Sequence, residues 1–416
     1  MDRINYKLSF SAASGVQSIA LPASKSISNR ALIIEALAGG CDITNIAFCD
    51  DTVAMWRALE PQCAQAQVNI GAAGTAMRFL TAYFAMQPWR SVLLDGSPRM
   101  RRRPIGELVE ALRQCGAGID YYANEGFPPL WIEGRHLKAD GPIRMRGDVS
   151  SQFLSAVMMV APMMDGGLTI EIDGEPTSKP YLEMTAALMR HFGAEVTVGE
   201  REIVIAPKPY AGNRLVVESD WSAASYWYEI KVLCPQLEVT LVGLQPDSLQ
   251  GDSRVAVYFK SFGVTTTFTS EGVTLRNGPT DGNGPIVIDL SGQPDIAQTI
   301  VVTACMLHRP LRVSGLHTLR IKETDRLAAL QSQLAKLGFK VDIIDDSVLV
   351  CDGVQREIAS APQIATFDDH RMAMAFAPAA ILMSGLTIAD AQVVTKSYPD
   401  FWEHLGQVGF KLEVAQ

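Results

Sequence analysis

The sequence lacks an excess of positive charge, and it also lacks a long apolar segment. Its 416 residues include 36 Lys and Arg against 45 Asp and Glu, for a net charge of −9. Non-specific binding of nucleic acid or of anionic membranes needs a basic surface, so we expect neither partner. The longest apolar run, at 153–164, is too short to span a bilayer, and MDRINYKLSF has no apolar core of the signal-peptide type. We therefore expect a cytoplasmic protein.

Signatures of metal and nucleotide binding are missing as well. The seven cysteines are scattered without a C-x-x-C pair, and the six histidines show no metal-ligand spacing. This pattern favours free thiols and argues against a zinc site. No G-x-x-x-x-G-K-[ST] segment occurs, and the start of the chain is not a glycine-rich dinucleotide fingerprint. ATP and NAD are therefore not expected as ligands.

Length and an internal repeat predict the domain organisation. A chain of 416 residues suits two domains of roughly 200 residues each. A helix-like stretch that ends in glycine and continues into an alternating strand recurs about every 75 residues, and 55–70 resembles a sixth, degenerate copy. We expect six α/β units, three to a domain, although helix–glycine–strand order is common in any α/β protein. The marker glycines, which would supply left-handed helix ends, are Gly116, Gly193, Gly263, Gly338 and Gly409.

Positive charge is concentrated where apolar helices are predicted to begin. The segment LPASKSISNRALIIEAL at 21–37 places Lys25 and Arg30 at such a start, and Arg78 and Arg371 occupy comparable positions. Capping explains the Ser, Thr and Asp residues there, but a cation opposes the helix dipole unless an anion binds. These helix starts are therefore candidate anion sites.

Two further basic segments indicate the same ligand chemistry. PRMRRRP at 98–104 holds four arginines, and RIKETDRL at 320–327 surrounds two acids with three cations. Taken singly, each segment is as compatible with a solvated loop or an ion-paired helix as it is with an anion site. Together with the helix starts, in an acidic protein, they predict a site for more than one anionic group.

Nine motifs, in order from about residue 20 to 402, closely resemble the 5-enolpyruvylshikimate-3-phosphate synthase family of enolpyruvyl transferases. The most specific are S-K-S-x-S-N-R, K-E-[ST]-D-R and D-H-R-M-A. The full set is LPASKSISNRALIIEAL, GAAGTAMRFL, PRMRRRPIGELVEAL, VSSQFLSAVMM, SKPYLEMT, QGDSR, IKETDRL, DDHRMAMAF and TKSYPDFW.

The resemblance implies an α/β fold of two similar domains, each with three βαβαββ units around a pseudo-threefold axis. One domain would span about 20–220, the other would combine 1–19 with 221–416, and the active site would lie in the cleft between them. The implied reaction moves the enolpyruvyl group of phosphoenolpyruvate to the 5-hydroxyl of shikimate 3-phosphate, through a tetrahedral intermediate and with release of phosphate. This is a step of the shikimate pathway to chorismate and the aromatic amino acids. The resemblance implies no metal or organic cofactor, and we expect a monomer.

The resemblance also implies residue roles. Lys25 would lie between the substrates, Asp295 would take the proton from the 5-hydroxyl, and Glu323 would protonate the enol methylene, as an addition to an enol ether requires. The implied contacts of shikimate 3-phosphate are Lys25, Ser26, Arg30, Ser150, Ser151, Gln152, Ser178, Asp295 and Lys322. The implied contacts of phosphoenolpyruvate are Lys25, Gly74, Arg103, Gln152, Arg326, Arg371 and Lys396.

Three positions depart from the family pattern. Ala72 and Thr318 stand where many relatives have Asn, and Phe79 stands where Pro is frequent. Contacts to the pyruvyl group and to the shikimate ring are affected, so the sequence does not predict sensitivity to glyphosate.

Two other functions are alternatives to the synthase. The sister enolpyruvyl transferase that acts on UDP-N-acetylglucosamine has a Lys-Asn pair and a loop cysteine, whereas this chain has Lys25-Ser26 and no cysteine in DGSPRMRRRP. A noncatalytic phosphometabolite sensor on the same fold would have lost a group at the reacting centre, yet Lys25, Asp295 and Glu323 are all present. The sequence therefore favours the synthase.

Overall fold

The chain folds into two compact units. The structure is a computed structural model that describes residues 3–60, 66–280, 282, 284–358 and 362–415. Met1–Pro22 and Glu218–Gln416 form the first unit, called here the terminal unit, and Ala23–Val217 form the second, called the inserted unit. Each unit is described by itself below.

Helices and strands are short and alternate along the chain. The helices are α1 Lys25–Ala38, α2 Asp50–Leu59, α3 Gly74–Ala85, α4 Gly106–Gln114, α5 Ser151–Val160, α6 Lys179–His191, α7 Trp221–Leu233, α8 Val255–Tyr258, α9 Ala297–Met306, α10 Arg326–Lys336, α11 His370–Phe376 and α12 Phe401–Gln407. The strands are β1 Asn5–Phe10, β2 Val16–Ala20, β3 Asp42–Thr44, β4 Gln67–Asn69, β5 Ser91–Asp95, β6 Gly118–Tyr121, β7 Leu130–Glu133, β8 Ile143–Arg146, β9 Leu168–Asp173, β10 Val196–Val198, β11 Glu202–Ile205, β12 Arg214–Val216, β13 Glu238–Val242, β14 Val264–Phe268, β15 Gly272–Asn277, β16 Ile286–Asp289, β17 Leu311–Ser314, β18 Phe339–Ile344, β19 Val348–Gln355, β20 Gln363–Ile364, β21 Leu386–Ile388 and β22 Phe410–Ala415.

One sheet pattern recurs in both units. In the inserted unit the sheets β4-β5-β7-β6 and β10-β11-β9-β8 each join one parallel pair to two antiparallel pairs. The terminal unit repeats the pattern in β16-β17-β19-β18, β14-β15-β13-β2 and β20-β21-β1-β22. The sheet β4–β7, with α3 and α4, follows the order strand, helix, strand, helix, strand, strand. A sixth, two-stranded sheet pairs β3 with β12 in parallel, so the expected α/β class is confirmed.

The five marker glycines occupy left-handed backbone positions, with φ from 84° to 110°. Each follows a helical turn, and the next strand begins within three residues, as the repeat predicts. At two of them the close approach of another segment also excludes a side chain: a Cβ at Gly338 would collide with the carbonyl oxygen of Arg356, and one at Gly409 with that of Ser11. The predicted copy at 55–70 includes 61–65, which lie outside the described residues.

Each unit has an apolar core of its own. The terminal unit buries Trp227, Phe259 and Tyr398, and the inserted unit buries Phe79 and Phe84. Six cysteines carry free thiols, and Cys63 lies outside the described residues. Within the described ranges, no helix combines the length and the apolarity that crossing a membrane requires.

Candidate active site

Four cations and three carboxylates of the terminal unit form one cluster of charges. They come from four places in its repeats: the turn before α9, the start of α10, the start of α11, and the end of the 3₁₀ helix Ala391–Lys396. Helix N-termini carry the positive end of the helix dipole, which favours anions at this location. The members are Asp295, Lys322, Glu323, Arg326, Asp369, Arg371 and Lys396, of which all but Asp369 were predicted site residues.

Arg326 connects three carboxylates of this cluster. Its side chain is 1% exposed, and it donates from Nε to Asp369 at 2.7 Å, from Nη1 to Asp295 at 3.0 Å and from Nη2 to Glu323 at 2.9 Å. Burial by itself would lower the pKa of Arg326, but the three carboxylates raise it above its ordinary value. The guanidinium therefore stays charged and fixes the two predicted proton-transfer groups relative to each other.

Asp295 is surrounded by positive charge. Lys322 Nζ lies 3.4 Å from one carboxylate oxygen, and Arg371 Nη2 lies 3.2 Å from the other. Burial alone would raise the pKa of Asp295, but Arg371, Lys322 and Arg326 together hold that pKa well below its ordinary value. The carboxylate is therefore ionised, which is the form that a general base needs.

Glu323 is held by two cations. Lys396 Nζ lies 3.3 Å from its Oε1, while Arg326 donates to its Oε2. Since Lys396 belongs to a different repeat from Glu323, this ion pair ties the 3₁₀ helix to the start of α10.

Two acids of the terminal unit were not predicted as site residues. Asp369 caps α11 by accepting from the backbone N of Arg371 at 2.9 Å, in addition to its bonds with Arg326. Asp252 accepts a hydrogen bond from Ser222 Oγ, and burial, reinforced by the nearby Asp295 charge, raises the pKa of Asp252 to about 7. Both acids lie inside motifs that carry the family resemblance, DDHRMAMAF and QGDSR. The sequence therefore marked their positions, although it predicted no role for either acid.

Arg30 is a buried cation of the inserted unit. It donates to Thr185 Oγ1 at 2.7 Å, to Ser155 Oγ at 3.2 Å and to the carbonyl oxygen of Ser26 at 3.0 Å. Its guanidinium also lies 5.3 Å from the centre of the Phe79 ring. Burial lowers the pKa of Arg30 to about 10. Because these hydrogen-bond partners are uncharged, the positive charge remains available for an anion.

Lys25 is the first residue of α1, after the capping residue Ser24, whose Oγ accepts from the backbone N of Ile27 at 3.4 Å. Its ammonium lies 3.3 Å from Asp51 Oδ2 at the start of α2, and both side chains are largely buried. Asp51 was not predicted as a site residue, because nothing in the local sequence connects it with Lys25.

Gly74, the first residue of α3, lies against the guanidinium of Arg103. A Cβ at this position would collide with Arg103 Nη1, so the absence of a side chain is what permits the approach. Arg78, a candidate cation of an anion site, donates to the carbonyl oxygens of Gly74 at 3.2 Å and Pro104 at 3.1 Å. It thereby links the start of α3 to the loop of Arg103.

The remaining predicted residues of the inserted unit lie at two helix starts. Ser150 caps α5 by accepting from the backbone N of Gln152 at 3.4 Å, and Ser151 is the first helical residue. Gln152 Nε2 donates to Thr75 Oγ1 at 3.2 Å, which connects α5 to the start of α3. Ser178 precedes α6 with a left-handed φ of 55°. Together with the Arg30 contacts, these bonds join the starts of α1, α3 and α5 to α6.

Comparison with known proteins identifies the family. The family model of EPSP synthase (3-phosphoshikimate 1-carboxyvinyltransferase) matches residues 57–405. The chain belongs to the EPSP synthase family. A 3-phosphoshikimate 1-carboxyvinyltransferase of Bacteroides fragilis is 48% identical over 404 residues, which cover 96% of each chain. One from Paraburkholderia phymatum is 38% identical and covers 95% of this chain and 96% of its own.

Solved structures agree with the fold of the EPSP synthase family. An EPSP synthase from Acinetobacter baumannii superposes with a TM-score of 0.77 over the full length of both chains, at 22% identity. The enolpyruvyl transferase NikO from Streptomyces tendae gives a TM-score of 0.71 at 14% identity, again over both full lengths. At these identities the likeness concerns the fold alone. The family and fold expected from the nine motifs are confirmed.

The three departures from the EPSP synthase pattern occupy different environments. Phe79 is fully buried beneath Arg30, and Thr318 is buried with no hydrogen-bond partner for its hydroxyl among the described residues. Ala72 is exposed in the turn before α3. Phe79 therefore helps to hold Arg30, a predicted substrate contact, in place. Among the described residues, the side chains of Thr318 and Ala72 show no comparable contact.

Proposed function

We propose that the chain transfers the enolpyruvyl group of phosphoenolpyruvate to the 5-hydroxyl of shikimate 3-phosphate and releases phosphate. The observation that carries this proposal is the arrangement of Asp295 and Glu323 around Arg326 in a member of the EPSP synthase family. Both substrates are small polyanions, and each unit offers buried cations at helix starts. The sister transferase and the phosphometabolite sensor have no observation in their favour.

The terminal unit supplies the proton transfers in this proposal. Asp295 takes the proton of the 5-hydroxyl while the oxygen attacks C2 of phosphoenolpyruvate, and Glu323 protonates C3, which forms the tetrahedral intermediate. The bond between C2 and the phosphate oxygen then breaks, and Glu323 takes a proton back from the methyl group, which restores the enol ether and releases phosphate. Cations around the departing phosphate stabilise the charge that develops.

Substrate binding also changes the charges that surround the Glu323 carboxylate. In the structure its carboxylate accepts from Arg326 and lies beside Lys396. When anionic groups of phosphoenolpyruvate engage these cations, they place negative charge beside Glu323.

The inserted unit supplies most of the binding groups in the proposal. Its helix starts receive the phosphate of shikimate 3-phosphate through Ser26, Arg30, Ser150, Ser151 and Ser178, with Lys322 of the terminal unit at the ring hydroxyls. Phosphoenolpyruvate is held by Lys25, Gly74, Arg103 and Gln152, together with Arg326, Arg371 and Lys396. We propose that the two domains, 20–220 and 1–19 with 221–416, act on the same substrate pair, and that the enzyme works as a cytoplasmic monomer.

One assay tests the proposal. Purified protein is given both substrates, each substrate alone, or phosphoenolpyruvate with UDP-N-acetylglucosamine, and released phosphate is measured. We expect release only with shikimate 3-phosphate and phosphoenolpyruvate together, and a loss of roughly 10²-fold or more in Asp295→Asn. An Asp289→Asn variant, altered at an exposed acid that ends strand β16, is the matched control with unchanged release. Release of phosphate with UDP-N-acetylglucosamine as the acceptor, but not with shikimate 3-phosphate, would contradict the proposal.

A further inference from the structure

A hydrogen-bond chain of three side chains runs through the core of the terminal unit. Trp227 Nε1 on α7 lies 3.2 Å from Tyr398 Oη, and Tyr398 Oη lies 2.8 Å from His404 Nδ1 on α12. Trp227 and Tyr398 are fully buried, and His404 is partly buried. This Trp227–Tyr398–His404 chain uses none of the groups assigned to the reaction above.

Elementary hydrogen-bond chemistry fixes the direction of the chain. An indole N–H can only donate, so Tyr398 Oη accepts from Trp227. Burial raises the pKa of Tyr398, which keeps the phenol protonated. Among the described residues, His404 Nδ1 is the one acceptor within hydrogen-bond distance of the Tyr398 hydroxyl, so the phenol proton is satisfied only by donating to it. This assigns the neutral tautomer with its proton on Nε2 to His404.

The charged groups near His404 lie on its own helix and at the turn before it. Asp400 and Glu403 would each raise the pKa of His404, but burial outweighs them and lowers it. Asp220, which caps α7, acts on Tyr398 from the other side. Lys411 and Glu413 of β22, which packs against α12, are both exposed. The neutral imidazole required by the geometry is thus also the form that its surroundings favour.

The Trp227–Tyr398–His404 chain is connected to the segment that carries Lys396. Lys396 ends the 3₁₀ helix Ala391–Lys396, and two residues later the backbone N of Tyr398 donates to the carbonyl oxygen of Val394 at 2.8 Å. At the other end of the same 3₁₀ helix, Trp402 Nε1 donates to the carbonyl oxygen of Ala391 at 2.8 Å. One end of the 3₁₀ helix is therefore bonded to the backbone of Tyr398 and the other to a side chain of α12, which fixes the point from which Lys396 reaches Glu323.

We propose that Tyr398 and His404 are positioning residues for Lys396, and that a neutral His404 keeps the Lys396 segment in its binding geometry. Protonation of His404 removes the acceptor for the Tyr398 proton and loosens the segment. The inference rests on the proposed function, in which Lys396 contacts phosphoenolpyruvate. It predicts that weakening the Trp227–Tyr398–His404 chain raises the KM for phosphoenolpyruvate more than the KM for shikimate 3-phosphate.

Three variants separate the contributions. Tyr398→Phe removes the hydroxyl, His404→Leu removes the acceptor, and His404→Asn keeps an acceptor near the Nδ1 position but does not titrate. His136→Asn, at an exposed histidine of the inserted unit, is the matched control. Loss of a hydrogen bond of typical net strength corresponds to roughly a twofold to tenfold change.

Steady-state kinetics and NMR give the decisive readouts. We expect Tyr398→Phe and His404→Leu to raise the KM for phosphoenolpyruvate by roughly twofold to tenfold, with a smaller change for shikimate 3-phosphate. Between pH 8 and 5.5, the ratio of this KM in wild type to that in His404→Asn should rise. Long-range ¹H–¹⁵N spectra of the whole protein at pH 7.5, with the His404 signal assigned by its loss in His404→Asn, should show an unprotonated Nδ1.

These experiments distinguish a failure of the proposed function from a failure of the positioning role. A wild-type protein that releases no phosphate from the two substrates would contradict the proposed function. In a protein that does turn over, equal changes in the two KM values, a KM ratio that does not vary with pH, or a protonated Nδ1 at pH 7.5 would overturn the positioning role.

Discussion

Arg326 donates two hydrogen bonds to the carboxylate of Asp369, from Nε at 2.7 Å and from Nη2 at 3.3 Å, and both side chains are buried. The same carboxylate accepts from the backbone N of Arg371 at 2.9 Å. One acid therefore orients a cation of α10 and caps the helix that carries a second cation. The charge of Asp369 therefore contributes to the stability of the fold as well as to the arrangement of the site.

Replacing Asp369 by Asn keeps the shape of the side chain and its capping oxygen, but removes one of the three carboxylates that compensate Arg326. Asp295 and Glu323 still face Arg326, so we expect a loss in the free energy of unfolding toward the lower end of the roughly 3–5 kcal/mol that breaking a buried ion pair costs. Urea denaturation followed by circular dichroism measures this value.

The control for that experiment is Asp346→Asn, which removes an exposed partner of Arg320. Exposed ion pairs contribute little, so the control should unfold like wild type. Equal losses in Asp369→Asn and Asp346→Asn would contradict the role of the buried pair.

Gly74→Ala should displace the guanidinium of Arg103, because the added Cβ would occupy the space of Nη1. We expect the KM for phosphoenolpyruvate to rise by roughly tenfold while the KM for shikimate 3-phosphate changes less, since a charge-assisted hydrogen bond is worth about 1.5–3 kcal/mol. Gly406→Ala is the matched control, because a Cβ there meets nothing within 4 Å. If Gly74→Ala and Gly406→Ala behave alike, Arg103 does not bind this substrate through the geometry seen here.

Glu323→Gln should slow turnover by roughly 10²–10⁴, because it removes a positioned acid while keeping the side-chain shape. In heavy water with both substrates, wild type should place deuterium on the methylene of recovered phosphoenolpyruvate, since the addition is reversible and the methyl group of the intermediate rotates. The variant should slow this exchange at least as much as turnover. Exchange at the wild-type rate would mean that another group protonates C3, and Lys25 would be tested next.

Asp295→Asn should reduce the acid sensitivity of the fold. Cations hold the pKa of folded Asp295 well below the ordinary value of 3.8, so its stabilising contribution is present above about pH 4 and is lost as the pH falls through the folded pKa. Urea midpoints should therefore show wild type more stable than Asp295→Asn at pH 7, with a difference that shrinks toward pH 3. A difference that is constant with pH would show that Asp295 stabilises the fold by something other than its charge.

Local features of the fold were predictable from the sequence. The caps Ser24, Ser150 and Asp369, and the left-handed glycines that end the repeated helices, each depend on residues within one or two helical turns. The motifs, read in order, likewise pointed to the EPSP synthase family. A short stretch of chain carries this information because helix starts and ends are satisfied by neighbouring backbone groups.

Charge pairing was decided only by the tertiary structure. Arg326 meets Asp369 across 43 positions of sequence, and Lys25 meets Asp51 across 26. Arg78 has the same local setting as the predicted anion-binding residues, yet it binds backbone carbonyls. The sequence by itself determined where helices begin and which residue types stand there. Which cation faces which acid depends on how separate helices pack, because an ion pair forms only where two side chains reach within a few ångströms of each other.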